Sequence, residues 1–214
     1  MNVTKYFLCV SAVIFMQLTS YAQELEVNGS FNTSNEQRLE KAKGIGLQYE
    51  QNIKPKYIMG IGIHYNYNKT DFYTLTMMGS HDLEKISSNA KRISLRLNIQ
   101  RLLKDNEYVS LSIGPEISYN YLWSHDNKFN WIYADSSYSI HTTQNINAKN
   151  FGVGLISKIE IKDFIKPQLS LCFTIRPEML IGNPRTSIGQ QTPALSGFSC
   201  TEFQIGLKYN FKNM

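Results

Sequence analysis

The strict alternation of apolar and polar residues near the C-terminal end limits the fold more than any other feature of this chain. Thr201, Phe203, Ile205, Leu207, Tyr209 and Phe211 occupy every second position, with Glu202, Gln204, Gly206, Lys208 and Asn210 between them. A period of two puts the sets on opposite faces of a strand. One face suits apolar surroundings and the other a polar space.

Seven earlier segments repeat the pattern, roughly at residues 25–31, 44–50, 57–67, 92–100, 109–123, 151–161 and 169–179. The sixth departs from it at Ile156 and Ser157. Most approach the ~9–11 residues that a tilted strand needs to cross a bilayer. The connections alternate in length: short at 52–56, 102–106 and 162–167, long at 32–43, 69–91, 124–149 and 180–199. This rhythm predicts an all-β fold, an eight-stranded antiparallel up-and-down transmembrane β-barrel. Short periplasmic turns, long external loops and two periplasmic termini go with it.

The polar face is rich in glycine and serine with isolated charges, which suits a narrow interior that side chains fill. The apolar face carries Ile, Leu and Val between aromatic ends. Tyr57, Tyr209 and Phe211 (with Tyr49) are expected to mark the periplasmic rim. Tyr65, Tyr67, Tyr119, Tyr121 and Trp123 (with Phe151) are expected to mark the outer one. Amphipathic rings favour the boundary between lipid and water. A soluble barrel around an apolar cavity would carry charge outside instead.

The first residues predict the same destination. Lys5 precedes an apolar run from Tyr6 to Met16, and Ser20 and Ala22 suit a cut before Gln23. Residues 1–22 read as a secretory signal peptide, too short to span a bilayer, and 23–214 as one barrel domain. Cys9 lacks the small residues expected before a lipidated cysteine. Cys172 and Cys200 alternate onto one face of consecutive strands, several residues apart along the axis. Two free lumen-facing thiols are expected, since a disulfide needs Cα atoms within about 7 Å. The formal charge of +5 has an ordinary source in Lys54, Lys56, Lys104, Lys162, Lys166 and Lys212, at expected periplasmic turns or the terminus near anionic headgroups. No basic strip with stacking aromatics points to nucleic acid.

The candidate site is the inward face. It is expected to hold a charge network of Arg92, Arg96, Glu116, Lys158, Arg176, Glu178 and Glu202, with Glu50, His64, Glu160 and Lys208 on the same side. With tight turns, Arg92 falls near Glu116, and Arg176 near Glu202. Charges in a narrow lumen must be paired or hydrated, so the network is read as a plug, with a selective polar path as the alternative. Catalysis is not expected. Ser124-His125-Asp126 and His81-Asp82 are adjacent only in sequence, whereas a nucleophile and its base must converge in space. No metal-ligand spacing or phosphate-binding glycine loop stands out, so no metal and no cofactor is expected. Phe129, Trp131, Tyr133 and Tyr138 lie in the segment 124–149, where they serve recognition or pack on the rim.

Gln204, Gly206, Tyr209 and Phe211 resemble the β-signal on the last strand of outer-membrane barrels, which the barrel-assembly machinery reads. Three residues follow Phe211, whereas many such barrels end on the aromatic. Together with the Ala22-Gln23 signal end and the eight-strand rhythm, the chain resembles the small outer-membrane β-barrel proteins of the Bacteroidota, a group that includes PorT-like proteins. The resemblance implies a non-enzymatic barrel that anchors, assembles or recognises through its external loops. Its partners would be outer-membrane lipid and lipopolysaccharide, and proteins of a secretion or envelope complex. The alternative is a small OmpW-like channel for ions or apolar solutes, with a lipid-modifying enzyme as a third and less favoured reading. The barrel enzymes that deacylate lipid A carry a histidine and a serine two places apart on a strand, and no His-x-Ser occurs here.

Overall fold

The alternating segments form eight strands in a computed structural model, which describes residues 23–75, 83–132, 137–186 and 198–211. They are β1 (Gln23–Ser34), β2 (Lys43–Lys54), β3 (Tyr57–Leu75), β4 (Leu83–Asp105), β5 (Val109–Ile132), β6 (Ser137–Ile161), β7 (Leu169–Thr186) and β8 (Phe198–Asn210). Each pairs antiparallel with its chain neighbours, and β8 returns to β1, closing the barrel. The expected signal peptide, Cys9, His81, Asp82, Tyr133 and Lys212 fall outside the described residues.

The burial pattern is the reverse of that in a soluble domain. Arg92, Arg96, Arg176, His64, Gln48 and Gln100 are among the largest fully buried side chains. Outside, Ile45 is 68% exposed and Ile205 54%. An apolar band so extensive exceeds the patches that soluble monomers leave bare. At the irregular point of β6, Ile156 points inward and is fully buried, while Ser157 takes the outer face.

Two of the expected long loops are mostly strand. β3 and β4 stay paired from Lys69↔Asn89 to Leu75↔Leu83, and β5 and β6 from Asp126↔Gln144 to Ile132↔Ser137. These stretches are rich in Asn, Ser and Thr, so no apolar face marks them in the sequence. Their backbones nevertheless complete their hydrogen bonds by extending the ladder. β3 to β6 reach 19, 23, 24 and 25 residues, against 12 in β1 and in β2. A four-stranded sheet therefore rises from one side of the rim. The fourth connection is also partly strand, since β7 continues to Thr186. The first, at 35–42, is a compact turn in which Leu39 and Glu40 donate to the Glu36 carbonyl, with Lys41 at φ 62°.

Proline breaks the ladder in the middle of β5. Pro115 has no N–H to donate, and the β4–β5 register passes from Asn98↔Glu116 to Arg101↔Ile113 with no pair between. Beside it Gly114 lets the strands close in, since a Cβ there would lie 1.9 Å from the Ile99 carbonyl oxygen. Replacing Gly114 by Val should destabilise the barrel by more than about 3 kcal/mol. Urea unfolding of the refolded barrel, followed by tryptophan fluorescence, measures this; an unchanged midpoint would show that the backbone yields.

Candidate functional site

Closing eight strands places every second side chain in a shared lumen, where each polar group needs a partner. Near the short-turn end, Lys158 pairs with Glu26 and Glu50. Lys208 pairs with Glu24 at 2.7 Å and with Glu160. Gln100 donates to Glu50 at 3.0 Å and Asn28 to Glu26 at 3.1 Å. Above them Arg176 reaches Glu116 and Gln48, and donates to Gln204 at 3.0 Å. Higher still, Glu202 receives Arg96 at 2.6 Å and Arg92 at 3.2 Å. Glu178 stands 3.9 Å from both guanidiniums.

Beyond this charged column lies an apolar layer. Leu122, Ile146, Leu180 and Ala90 meet Leu39, which the 35–42 turn inserts from β1–β2. The turn is fastened over the mouth. Arg38 bonds Asp126 and Glu36, each at 2.8 Å, and stacks on Phe72 with 5.5 Å to the ring centroid. Asn68 donates to the Arg38 and Glu40 carbonyls. Charge pairs therefore fill the middle of the lumen, and a hydrophobic cap closes the long-hairpin end.

All seven residues of the expected charge network face the lumen and are buried, but the expected proximity of Arg92 to Glu116 is corrected. Arg92 lies opposite Leu122, not near Glu116, which lies opposite Asn98. The β4–β5 turn is centred later than the short connection at 102–106 suggests. Asn106 accepts from the amides of Tyr108 and Val109 at 3.1 and 2.6 Å, fixing the turn there. Moving a hairpin's centre by three residues shifts each partner by six. Arg176 and Glu202 are cross-strand neighbours, yet their side chains diverge: Arg176 takes Glu116, and Glu202 takes the two β4 arginines. Glu24, Glu26, Arg38 and Leu39 complete the site and were not expected in it. Glu24 and Glu26 alternate with Leu25 and Val27 and could have been read from the sequence; the infolding of Leu39 could not.

The expected girdle residues Tyr57, Tyr65, Tyr67, Tyr119, Tyr121, Trp123, Tyr209 and Phe211 lie on the outer face. Tyr209 and Phe211 stand edge to face at 5.0 Å, and Tyr121 and Trp123 pair at 5.5 Å. Of the assembly-signal positions, Gln204 and Gly206 face inward. Gly206 is a close approach, since a Cβ there would lie 2.9 Å from the Val27 carbonyl oxygen. Cys172 and Cys200 are free and buried.

Ser124-His125-Asp126 is strand, not loop, and its alternation splits the group. Ser124 and Asp126 bond each other inside at 2.5 Å, while His125 faces out and bonds Asn145 at 2.7 Å. The three form no relay. Among the described residues no group of His, Cys, Asp and Glu could hold a metal ion. On the raised sheet, hydrogen bonds from Lys85 and Ser87 hold the Asp71 carboxyl below the usual carboxylate range. That contact contributes at neutral pH and is lost as pH falls through the lowered value.

No protein-family model and no curated protein matches this chain. Solved structures do. Neisserial surface protein A is 12% identical with a TM-score of 0.52, over 89% of this chain and 97% of that one. A major outer membrane protein from Thermus thermophilus is 12% identical with a TM-score of 0.54, over 88% and 99%. At such identity the likeness shows the fold, which is that of the eight-stranded outer-membrane β-barrel proteins.

Replacing Glu202 by Gln leaves Arg92 and Arg96 buried with Glu178, 3.9 Å from each, as their nearest carboxylate among the described residues. Unpairing buried charges costs about 3–5 kcal/mol. The urea midpoint should fall accordingly, while Thr33→Ala on the exposed face should stay within about 0.5 kcal/mol of the parent.

Proposed function

We propose that this chain is an integral barrel of a bacterial outer membrane, passing no solute through its lumen and doing no chemistry there. It acts by anchoring, assembly or surface recognition through its outer rim and the raised β3–β6 sheet. The closed lumen carries this reading: buried ion pairs fill it, and Leu39 and Arg38 seal one mouth. A conducting path would need a continuous water column, which a small-diameter barrel full of side chains does not leave. The apolar exterior supports the membrane setting. Both termini and the short turns then face the periplasm, and the long hairpins face outward.

The resemblance to small Bacteroidota barrels, PorT-like proteins among them, adds a narrower proposal. The barrel-assembly machinery inserts the chain by its last strand, and the raised sheet meets other proteins of a secretion or envelope complex. Lipopolysaccharide surrounds the outer rim. The separation of His125 from Ser124 and Asp126 supports a non-enzymatic role.

In planar bilayers the refolded protein should show no conductance steps. Steady steps whose ion selectivity changes with Glu116→Gln would replace this reading with the channel. Leu95→Arg, placing a charge within the apolar band, should cost about 2–4 kcal/mol on folding into vesicles if it lies near the bilayer midplane. No penalty there would argue that the band does not face lipid.

A further inference from the structure

The outward face of β4, β5 and β6 changes character along the strands in three steps. Ile93, Leu95 and Leu97 on β4 are aliphatic, and beyond them come Lys91 and Asn89. On β5 the order is Ile117, Tyr119, Tyr121, Trp123, His125, and on β6 it is Val153, Phe151, Lys149, Asn147, Asn145. The register joins these columns into rows: Leu97–Ile117–Val153, Leu95–Tyr119–Phe151, Ile93–Tyr121–Lys149, Lys91–Trp123–Asn147 and Asn89–His125–Asn145. The face thus passes from hydrocarbon to rings and cations, and then to amides.

At the upper rows lies a pocket of about 280 Å³ lined by Asn89, Lys91, Trp123, His125, Asn145 and Asn147. Its contents fit one chemistry. An indole offers a flat apolar face, amides both donate to and accept from hydroxyls, and Lys91 with nearby Lys149 provides charge-assisted donors for an anion. From Ser87 to Leu97, Ile117 to Asn127 and Thr143 to Val153, no outward position holds a carboxylate. Such a surface would accept a phosphorylated sugar.

A second feature adjoins it. Gly29 faces outward on β1, and a Cβ added there would meet nothing within 4 Å. An apolar groove of about 380 Å³ runs across β1 to β4 here, with Val27, Ile45, Leu47, Ile63, Tyr65 and Ile93 in its walls. Ile93 is the next outward residue on β4 below Lys91. Polar pocket and apolar groove therefore meet on one strand, in the order of an amphipathic lipid.

We propose that this surface binds a phosphorylated glycolipid of the outer leaflet, with its sugar-phosphate headgroup in the Lys91–Trp123 pocket and an acyl chain in the groove beside Gly29. Binding at the rim would fix the height and rotation of the barrel in the leaflet and leave the raised sheet free. This rests on the outer-membrane reading and assigns that reading a lipid site.

The test uses the barrel extracted from native membranes in mild detergent, with bound lipid A counted by native mass spectrometry and flotation with vesicles scored in parallel. The parent should hold lipid A. Lys91→Glu and Trp123→Ala should each weaken retention about tenfold, which corresponds to about 1.4 kcal/mol. Gly29→Leu adds a side chain beside Ile45 at the edge of the groove without touching the headgroup pocket, and it should weaken lipid A retention while leaving glucosamine 1-phosphate binding unchanged. All three changes lie on the outer face, and heat-modifiable gel mobility reports that each variant is folded. Equal retention by the parent and the Lys91 and Trp123 variants would overturn the site. Glucosamine 1-phosphate binding as tightly as lipid A would overturn the lipid and leave a soluble sugar phosphate as the ligand. A barrel that floats with vesicles but sheds lipid A overturns this inference alone; one that does not float overturns the membrane reading with it.

Discussion

Closure of β8 onto β1 is the constraint from which the rest of the structure follows. The register runs without a break from Glu24↔Asn210 to Ser34↔Cys200. In hydrocarbon an unpaired N–H or C=O costs several kcal/mol, so only a sheet without edges is tolerated. Eight strands close into a ring too narrow to hold a water-filled channel beside its own side chains. Inward residues must therefore fit against one another, and most of the charged ones pair across the lumen. Glycines 46, 60, 152 and 154 make room for adjoining strands on the inner wall: a Cβ at any of them would meet a neighbouring strand's atom at 2.6 Å or less.

The lumen is sealed by two different kinds of contact. In the lower and middle part, carboxylates and cations neutralise one another, Lys158 bridging Glu26 to Glu50 and Glu202 joining Arg92 to Arg96. Buried pairs of this kind add little net stability over apolar packing, yet losing one partner is expensive. They fix the arrangement more than they strengthen it. At the long-hairpin end the seal is apolar, with Leu39 packed among Leu122, Ile146 and Leu180. An ion crossing the lumen would have to break the first barrier and wet the second.

The exterior follows different physics, because nothing across a cavity limits it. Its aliphatic band, its rings and its lysines are ordered by distance along each strand. The rows line up because the register is unbroken from Asn89↔His125 to Leu97↔Ile117 and from His125↔Asn145 to Ile117↔Val153. The unequal lengths of the strands then decide what lies above the band. On the β3–β6 side the ladder continues into polar sequence, so that side presents a sheet, whereas β1 and β2 turn inward to make the cap. One half of the rim is thereby available for contacts and the other is occupied in sealing the barrel.

Much of this is legible in the chain itself. A period of two in eight segments requires strands with one apolar and one polar face, and the rhythm of connections requires hairpins. The inward position of Arg92, Arg96, Glu116, Lys158, Arg176, Glu178 and Glu202 follows from parity alone. Partner choice does not. The Asn106 side chain moves the β4–β5 turn, and Arg92 thereby meets Glu202 and not Glu116. Nor does parity show that Lys69 to Leu75 and Asp126 to Ile132 are strand, since their apolar residues (Phe72, Tyr73 and Leu75; Phe129, Trp131 and Ile132) fall at both parities and give no periodic signal. The cap at Leu39 and the juxtaposition of Lys91, Trp123 and Asn147 arise only when the ring closes and neighbouring strands set their register. Sequence determined the faces, because side-chain direction is local; tertiary structure decided the contacts, because they depend on where each hairpin turns.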